Sequence, residues 1–259
     1  KLMKAFGGLI AINKIDIEVP RGEIRGIIGP NGSGKSTFFN LISGVYDPDP
    51  GSYIEFDGHD ITNEPAHEIG ALGLARTFQL LRLYQDMSVI NNVMSGYHTR
   101  VPYSFTEAVL GRKKIWDKEK EIKDEMMELL SFVGLADFAE MNASELSGGQ
   151  RRLLVLARAI ASKPKLLMLD EPAAGLSPHN IDNLMKIIMQ LKDKFGLTLI
   201  IIEHILKVVM DTCDAVTVFD HGQKIAEGTP AKVKDDNAVI EAYLGKKMND
   251  DEMRKALAV

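Results

Sequence analysis

Short apolar runs separated by polar turns dominate the first and last thirds of the chain. Each run is short enough to be a buried strand, and they lie at residues 22–28, 165–169, 198–202, 216–219 and 224–226. Residues 38–43 and 181–194 instead show helical spacing of apolar positions. Strands that alternate with helices predict an α/β fold.

The middle of the chain has a different pattern. Between residues 106 and 133 charges are dense and apolar side chains recur at helical spacing, with Gly134 as the expected helix end. Residues 52–56 followed by Asp57-Gly58 predict a strand and a hairpin turn. We therefore predict three parts: an α/β core (1–82 and 161–245), a helical insertion (83–160) and a charged tail without assigned function (246–259).

Composition narrows the function classes. The chain is 45% hydrophobic and 26% charged, as expected of a globular protein, and its net charge of −5 argues against a nucleic-acid partner. No apolar run approaches the roughly 18 residues of a membrane span and no secretory signal is visible, so a membrane role would require a partner. The lone Cys213 excludes an internal disulfide and is expected to be buried. Because the chain begins at Lys1 without an initiator methionine, we expect upstream residues to be missing.

The strongest motif lies at residues 29–37, GPNGSGKST, which fits the phosphate-binding pattern G-x-x-x-x-G-K-[ST] between a strand and a helix. Its glycines let backbone N–H groups surround phosphate oxygens, and the helix start adds partial positive charge. Lys35 can reach the β- and γ-phosphates, and the Ser36 hydroxyl can ligate Mg²⁺. A coincidental glycine turn is the alternative interpretation. The candidate nucleotide-binding residues here are Asn31, Gly32, Ser33, Gly34, Lys35, Ser36 and Thr37.

A second motif, LLMLDE at residues 166–171, is an apolar strand that ends in two acids. A carboxylate at the end of a buried strand needs a charge partner, and nucleotide-bound Mg²⁺ is a suitable one. Asp170 would hold the metal and Glu171 would polarise the attacking water. The alternative is a strand that merely runs into a polar turn at Pro172.

A third motif, LSGGQ at residues 146–150, precedes a helical run. Ser147 and Gln150 fit a capping box, which by itself describes an ordinary helix start. However, Gly148 and Gly149 would expose backbone N–H groups and so create a second anion site. A chain with one phosphate loop hardly needs a second one, which suggests a nucleotide supplied by another subunit.

Together these motifs, followed by His204 after a strand, resemble the ATPase cassette of ABC transporters over essentially the whole chain. The resemblance implies an α/β P-loop (RecA-like) ATPase core with an antiparallel β part and an inserted α-helical subdomain. It also implies ATP and Mg²⁺ as ligands. In this family two cassettes pack head to tail, and each ATP lies between one phosphate loop and the partner's LSGGQ signature.

The resemblance assigns three further residues. Gln79, in the sequence RTFQ, would sense Mg²⁺ and the membrane partner, His204 would contact the γ-phosphate, and Phe6 would stack on adenine. Without the other motifs, these residues are better interpreted as a loop amide, a capped strand end and a core aromatic.

Two positions depart from the family pattern. Ser177 stands where the family's D-loop carries an aspartate, which puts the intersubunit contacts at that point in doubt. We also expect the strand that precedes the adenine aromatic to be largely absent, which weakens the assignment of Phe6.

Several stretches most resemble the ATPase subunits of bacterial and archaeal branched-chain amino-acid importers. This resemblance implies a second, non-identical ATPase subunit, two permeases, an extracytoplasmic amino-acid-binding protein and a position at the cytoplasmic face of the membrane. A permease coupling helix would dock on Leu80, Leu81, Leu83 and Tyr84, for which core packing is the alternative. The stretches are FGGLIAIN, ARTFQLLRLYQDMSVINNV, DEPAAGLSP, IIEHILKVVM and AEGTPAKV…VIEAYLG.

Other function classes fit the sequence less well. ABC ATPases of translation or DNA maintenance usually carry two cassettes or a long coiled-coil insertion, whereas this chain has one cassette and a short insertion. A non-hydrolysing regulator would be expected to lack Glu171 or His204, and both are present. Cassettes for urea import or lipopolysaccharide export remain the nearer alternatives, which neighbouring genes for permeases and a binding protein would distinguish.

Overall fold

The computed structural model describes residues 1–77, 83–97 and 112–244, with side chains of its long helix described from residue 120. Within these ranges no helix is both long and apolar enough to cross a membrane. Gln79, Leu80, Leu81 and the predicted tail at 246–259 lie outside the described residues.

Among the residues described, six strands form the central sheet in the order β10-β9-β3-β8-β7-β6. Its strands run parallel except for β10, which pairs antiparallel with β9 at one edge. This order places the carboxyl ends of β3, β8 and β7 side by side, where open α/β sheets bind their ligands. The strands are β1 (Leu2–Phe6), β2 (Leu9–Ile15), β3 (Ile24–Ile28), β4 (Glu55–Phe56), β5 (His59–Asp60), β6 (Leu74–Arg76), β7 (Leu166–Asp170), β8 (Thr198–Ile202), β9 (Ala215–Asp220) and β10 (Gln223–Gly228).

The predicted helices are present within the described residues, and residues 106–111 of the one predicted at 106–133 lie outside them. The long charged one, α4, is followed by Gly134 at φ +76°, a left-handed conformation that glycine adopts without a steric penalty. In the part of the chain that the structure describes, the helices are α1 (Lys35–Ile42), α2 (Ala66–Ala71), α3 (Val89–Tyr97), α4 (Arg112–Phe132), α5 (Gly148–Ala161), α6 (Pro178–Phe195), α7 (Leu206–Thr212), α8 (Pro230–Lys234) and α9 (Asn237–Leu244).

The parallel strands are buried on both faces, which explains their continuous apolar sequences. In β7, Leu166 and Met168 belong to the core beneath α1 and the antiparallel strands. Leu167 and Leu169 face the opposite core, which α3, α5, α6 and α7 cover. Burial of one such side chain stabilises the fold by about 1.5–3 kcal/mol. The sheet is thus held from both sides, and its strand ends are rigid supports for loops.

The antiparallel part corrects one expectation. The strand before Phe6 was expected to be largely absent, but β1 is present and pairs with β2, with Phe6 opposite Leu9. Its sequence, LMKAF, has no β-branched residue, so the strand depends on pairing with β2 rather than on local propensity. The predicted hairpin turn at Asp57-Gly58 is confirmed between β4 and β5, although the strand there is shorter than predicted.

The helices of the middle segment share a core. Side chains from α3, α4 and α5 pack in one buried cluster, and Leu83 belongs to it with 9% of its surface exposed. Tyr84 is 55% exposed, so core packing does not account for it. The boundary of a helical subdomain at 83–160 stays a prediction.

Candidate active site

The segments that follow three neighbouring strands, β3, β8 and β7, meet at the carboxyl ends of these strands. The loop after β3 leads into α1, the segment after β7 begins with Glu171, and the segment after β8 carries His204. The amide of Glu171 still donates to the carbonyl of Ile202 at 2.9 Å, so the β7 and β8 segments stay in register as they leave the sheet.

The loop after β3 requires glycine at two points. Gly29 and Gly34 have φ of +150° and +104°, a region that other residues rarely adopt. A Cβ on Gly29 would lie 2.1 Å from the carbonyl oxygen of Phe219, and one on Gly34 would lie 2.6 Å from that of Ala11. Neighbouring backbone therefore encloses the loop and holds its shape.

Lys35 puts a positive charge inside this loop. Its Nζ donates to the carbonyl oxygens of Gly29 at 2.7 Å and Pro30 at 2.9 Å, and the residue is only 6% exposed. Burial lowers the pKa of Lys35, while the nearby carboxylates of Glu171 and Asp170 oppose that shift. A buried cation at the start of α1 fits a polyphosphate, because phosphate oxygens can replace the loop carbonyls as its acceptors.

The remaining loop residues differ in accessibility. Asn31, Gly32 and Ser36 are exposed, Thr37 is half-buried, and Ser33 is buried with its hydroxyl 3.5 Å from Lys35 Nζ. The loop therefore presents its tip and the Ser36 position to an incoming ligand.

Asp170 ends β7 and is engaged by a cation from the neighbouring strand. Its Oδ2 accepts from Arg76 Nη2 at 3.0 Å, and Arg76 also donates to Asn40 Oδ1 at 2.7 Å and Ser43 Oγ at 2.9 Å. Among the described residues, no group of three or more acidic, histidine or cysteine side chains is arranged so that it could hold a metal ion by itself. Mg²⁺ commonly uses one or two carboxylates plus phosphate oxygens, so Asp170 and the Ser36 hydroxyl fit a metal that arrives with a nucleotide.

Glu171 and His204 form a pair across the ends of β7 and β8. Glu171 Oε1 lies 2.9 Å from His204 Nε2, and the two side chains are 21% and 40% exposed. Glu171 has φ of +49°, a left-handed conformation that costs a non-glycine residue about 1–3 kcal/mol. A strained backbone at the base of this pair is typical of functional sites.

The signature motif forms the predicted capping box. Ser147 precedes α5, its hydroxyl accepts from the Gln150 amide at 3.3 Å, and Gln150 Oε1 accepts from the Ser147 amide at 2.9 Å. Ser147 and Gly148 are exposed. In the described part of the chain, no hydrogen bond or ion pair joins residues 147–150 to residues 29–37.

Phe6 is 44% exposed at the end of β1, so it is not a core residue. Its ring packs edge to face against Tyr46 with centroids 5.5 Å apart, and Lys4 Nζ lies 5.3 Å from the ring centroid. Ser177 is the residue before α6 and makes no side-chain cap bond.

Two residues near the site are not indicated by any sequence motif. Arg152 on α5 donates from Nη1 to the carbonyl oxygens of Glu171 at 3.1 Å and Pro172 at 3.4 Å, which ties the signature helix to the Glu171 backbone. On α9, the phenol of Tyr243 lies near the backbone of Gly29, and partial burial raises its pKa to about 12. Neither contact has a local sequence signal, because each joins segments that are distant along the chain.

Comparison with known proteins identifies the family. The chain matches the ABC transporter family over residues 12–174 and the branched-chain amino acid ATP-binding cassette transporter family over residues 223–247. It is 38% identical over 244 residues to the high-affinity branched-chain amino acid transport ATP-binding protein BraF of Pseudomonas aeruginosa, covering 94% of this chain and 95% of that one. It is 37% identical over 244 residues, with the same coverage, to the corresponding protein LivG of Escherichia coli.

A solved structure agrees with these relatives. The crystal structure of the ADP conformation of an ATP-binding cassette of an ABC transporter superposes with a TM-score of 0.81 at 36% identity, covering 95% of this chain and 96% of that one. The chain therefore belongs to the ATP-binding cassette family of ABC transporters.

Proposed function

We propose that this chain binds ATP·Mg²⁺ on residues 29–37 and hydrolyses it with Glu171 and His204 to drive uptake of branched-chain amino acids. The observation that carries the catalytic part is the 2.9 Å contact between Glu171 Oε1 and His204 Nε2 at the strand ends beside the phosphate loop.

The loop and Lys35 hold the phosphates. Backbone N–H groups of the loop and the start of α1 supply partial positive charge, and Lys35 supplies a full one. Ser36 and Asp170, together with Gln79, would hold Mg²⁺, which when bound would neutralise phosphate charge. Phe6 supplies an exposed ring on which the adenine base can stack.

Glu171 acts as the general base. Its carboxylate accepts a proton from water as the water oxygen attacks the γ-phosphorus, and the bond to the β-phosphate oxygen breaks to give ADP and phosphate. His204, with its proton on Nε2, can donate to Glu171 Oε1 and so hold the carboxylate in place until a γ-phosphate oxygen competes for that proton.

The exposed Ser147–Gly148 end of α5 serves a nucleotide held by another cassette, together with Gly149 and Gln150. Within the described residues, no hydrogen bond or ion pair joins residues 147–150 to the chain's own phosphate loop, which supports a role toward another chain's nucleotide. We propose that the second cassette is a non-identical paralogue, and that the pair works at the cytoplasmic face of the membrane with two permeases and an extracytoplasmic amino-acid-binding protein.

The substrate proposal rests on similarity. BraF and LivG are named for branched-chain amino acid transport, and the match over residues 223–247 is to a family named for the same cargo. Substrate choice itself would reside in the permeases and binding protein.

Uptake by cells tests the proposal. Deleting the gene should abolish high-affinity uptake of labelled leucine, isoleucine and valine, and the wild-type gene should restore it while Glu171→Gln should not. Unchanged uptake in cells that lack a redundant system would overturn the substrate. Loss of urea import or of lipopolysaccharide export in the same deletion would instead assign the cassette to one of those systems.

A further inference from the structure

A buried carboxylate lies directly before His204 and has no part in the mechanism above. Glu203 is 1% exposed and follows the last residue of β8. Its Oε1 accepts from the amide of Ala173 at 2.6 Å, and its Oε2 accepts from the amides of His204 at 3.1 Å and Ile205 at 3.4 Å.

These bonds join the two segments that carry the paired side chains. Ala173 lies two residues after Glu171 on the segment that leaves β7, whereas His204 and Ile205 lie on the segment that leaves β8. One carboxylate therefore links both backbones immediately next to the contact between Glu171 and His204.

Burying the Glu203 carboxylate costs desolvation free energy, which an apolar side chain of the same size would avoid. Burial raises the pKa of Glu203. Hydrogen bonds from three backbone amides, that of Ala173 foremost, oppose this shift, and the negative charge of Glu171 adds to it. An apolar side chain would fill the same space without desolvating a charge, but it would leave the backbone donors without these acceptors. The hydrogen bonds that the Glu203 carboxylate accepts therefore offset its desolvation cost, and they fix the segments after β7 and β8 relative to each other.

We propose that Glu203 is a positioning residue that holds Glu171 and His204 in contact by tying together the segments after β7 and β8. This role rests on the proposed function, in which that pair carries out hydrolysis. Loosening the link leaves the phosphate loop intact, so it affects the chemical step rather than ATP binding.

The test is Glu203→Gln, with ATP hydrolysis measured in the assembled complex and the NMR signal of His204 measured in the isolated full-length chain. Glutamine keeps the size but has only one acceptor oxygen, so it cannot accept from both segments at once. We expect kcat for ATP hydrolysis to fall at least tenfold, since small misplacements of catalytic groups can cost about a hundredfold. KM for ATP should change less than about threefold. The ¹⁵N signal of His204 Nε2, assigned by its loss in His204→Ala, should move toward that of an imidazole without a partner.

Asp214→Asn is a matched control. Asp214 also uses its carboxylate to hold a distant backbone amide, that of Ile24 at 2.7 Å, but it does so at the amino ends of β3 and β9. This variant should lower thermal stability while kcat and the His204 signal stay at wild-type values. A merely structural Glu203 would behave in the same way.

The outcomes separate the two proposals. The positioning role would be overturned by a wild-type kcat or an unmoved His204 signal in Glu203→Gln. This conclusion holds when wild type hydrolyses ATP and Glu171→Gln does not. Absence of ATPase activity in the assembled wild-type complex, or its retention in the complex with Glu171→Gln, would instead overturn the proposed function. If Glu203→Gln does not fold, Glu203→Asp serves the same purpose, because its shorter side chain keeps the charge but cannot span the two segments.

Discussion

His204 Nε2 lies 2.9 Å from Glu171 Oε1, although 33 residues separate the two in sequence. The contact exists because β7 and β8 are neighbours in a parallel sheet, so the residues that follow them leave the sheet side by side. Parallel pairing thus brings a carboxylate and an imidazole together at the edge where the phosphate loop begins.

Glu171→Gln should reduce hydrolysis by about 10²–10⁴-fold, the usual contribution of general base catalysis. Glutamine keeps the size of the side chain but cannot accept the proton of water. Phosphate release by the assembled complex measures the loss, and titration with ATP should show retained binding. Glu140→Gln, on an exposed side chain paired with Lys123, is the control and should hydrolyse ATP normally. Turnover above about a tenth of wild type would point to another base.

Lys35→Ala should weaken ATP binding by at least tenfold. Lys35 is the cation within residues 29–37, and charge-assisted bonds to phosphate are among the stronger hydrogen bonds in proteins. Isothermal titration of the full chain with ATP measures the change. Lys165→Ala is the control. Lys165 pairs with Asp57 and lies at the amino end of β7, whereas the phosphate loop lies at the carboxyl ends of the strands. Near-normal affinity in Lys35→Ala would rule out the loop as the nucleotide site.

Cys213 should resist alkylation in the folded protein. It is 8% exposed, and burial raises the pKa of its thiol to about 12. Because the folded pKa exceeds the unfolded value of about 8.5, this thiol contributes stability below pH 8.5 that is lost as pH rises toward 12. Labelling with a thiol reagent at pH 8 should be at least a hundredfold slower in buffer than in urea. Comparable rates under both conditions would show that the thiol is not buried.

Local patterns in the sequence were sufficient for several elements. The strand predicted at 198–202 matches β8, and the helix predicted after the S-x-x-Q capping box begins at Gly148 as α5. The signal for each is local, namely a continuous apolar run for the strand and a cap within four residues for the helix. Strand β8 itself is held by pairing with β3 and β7.

Contacts between distant segments could not be obtained in this way. Arg76 pairs with Asp170 because β6 adds to the edge of the sheet beside β7, and no periodicity predicts that neighbour. The wrong expectation about strand β1 has a different cause, because its sequence, LMKAF, contains no β-branched residue and its stability comes from pairing with the adjacent β2. The phosphate loop is predicted because its function demands a fixed local spacing, whereas the contacts of Arg152 and Glu203 with the segment after β7 join separate parts of the chain.

Gly148→Ala should lower turnover in the assembled transporter without changing ATP affinity of the isolated chain. A Cβ on Gly148 would have nothing within 4 Å, and its φ lies outside the left-handed region, so the substitution costs the isolated fold nothing. At Gly149 a Cβ would approach Asn180 Nδ2 to 3.1 Å, which makes that position a less clean test. In the assembly, an added methyl group at residue 148 would keep the start of α5 away from the partner's γ-phosphate.

Gly70→Ala provides the comparison, because Gly70 lies in α2, also with open space around it and a φ outside the left-handed region. Both variants should keep the melting temperature and the ATP affinity of the isolated chain, whereas only Gly148→Ala should slow phosphate release by the complex, by about tenfold or more if one anion contact is lost. An affinity loss in isolated Gly148→Ala would mean that the signature acts on the chain's own nucleotide. Equal turnover of both variants in the complex would mean that no phosphate approaches this helix start, and the head-to-tail arrangement of cassettes would then lose its support.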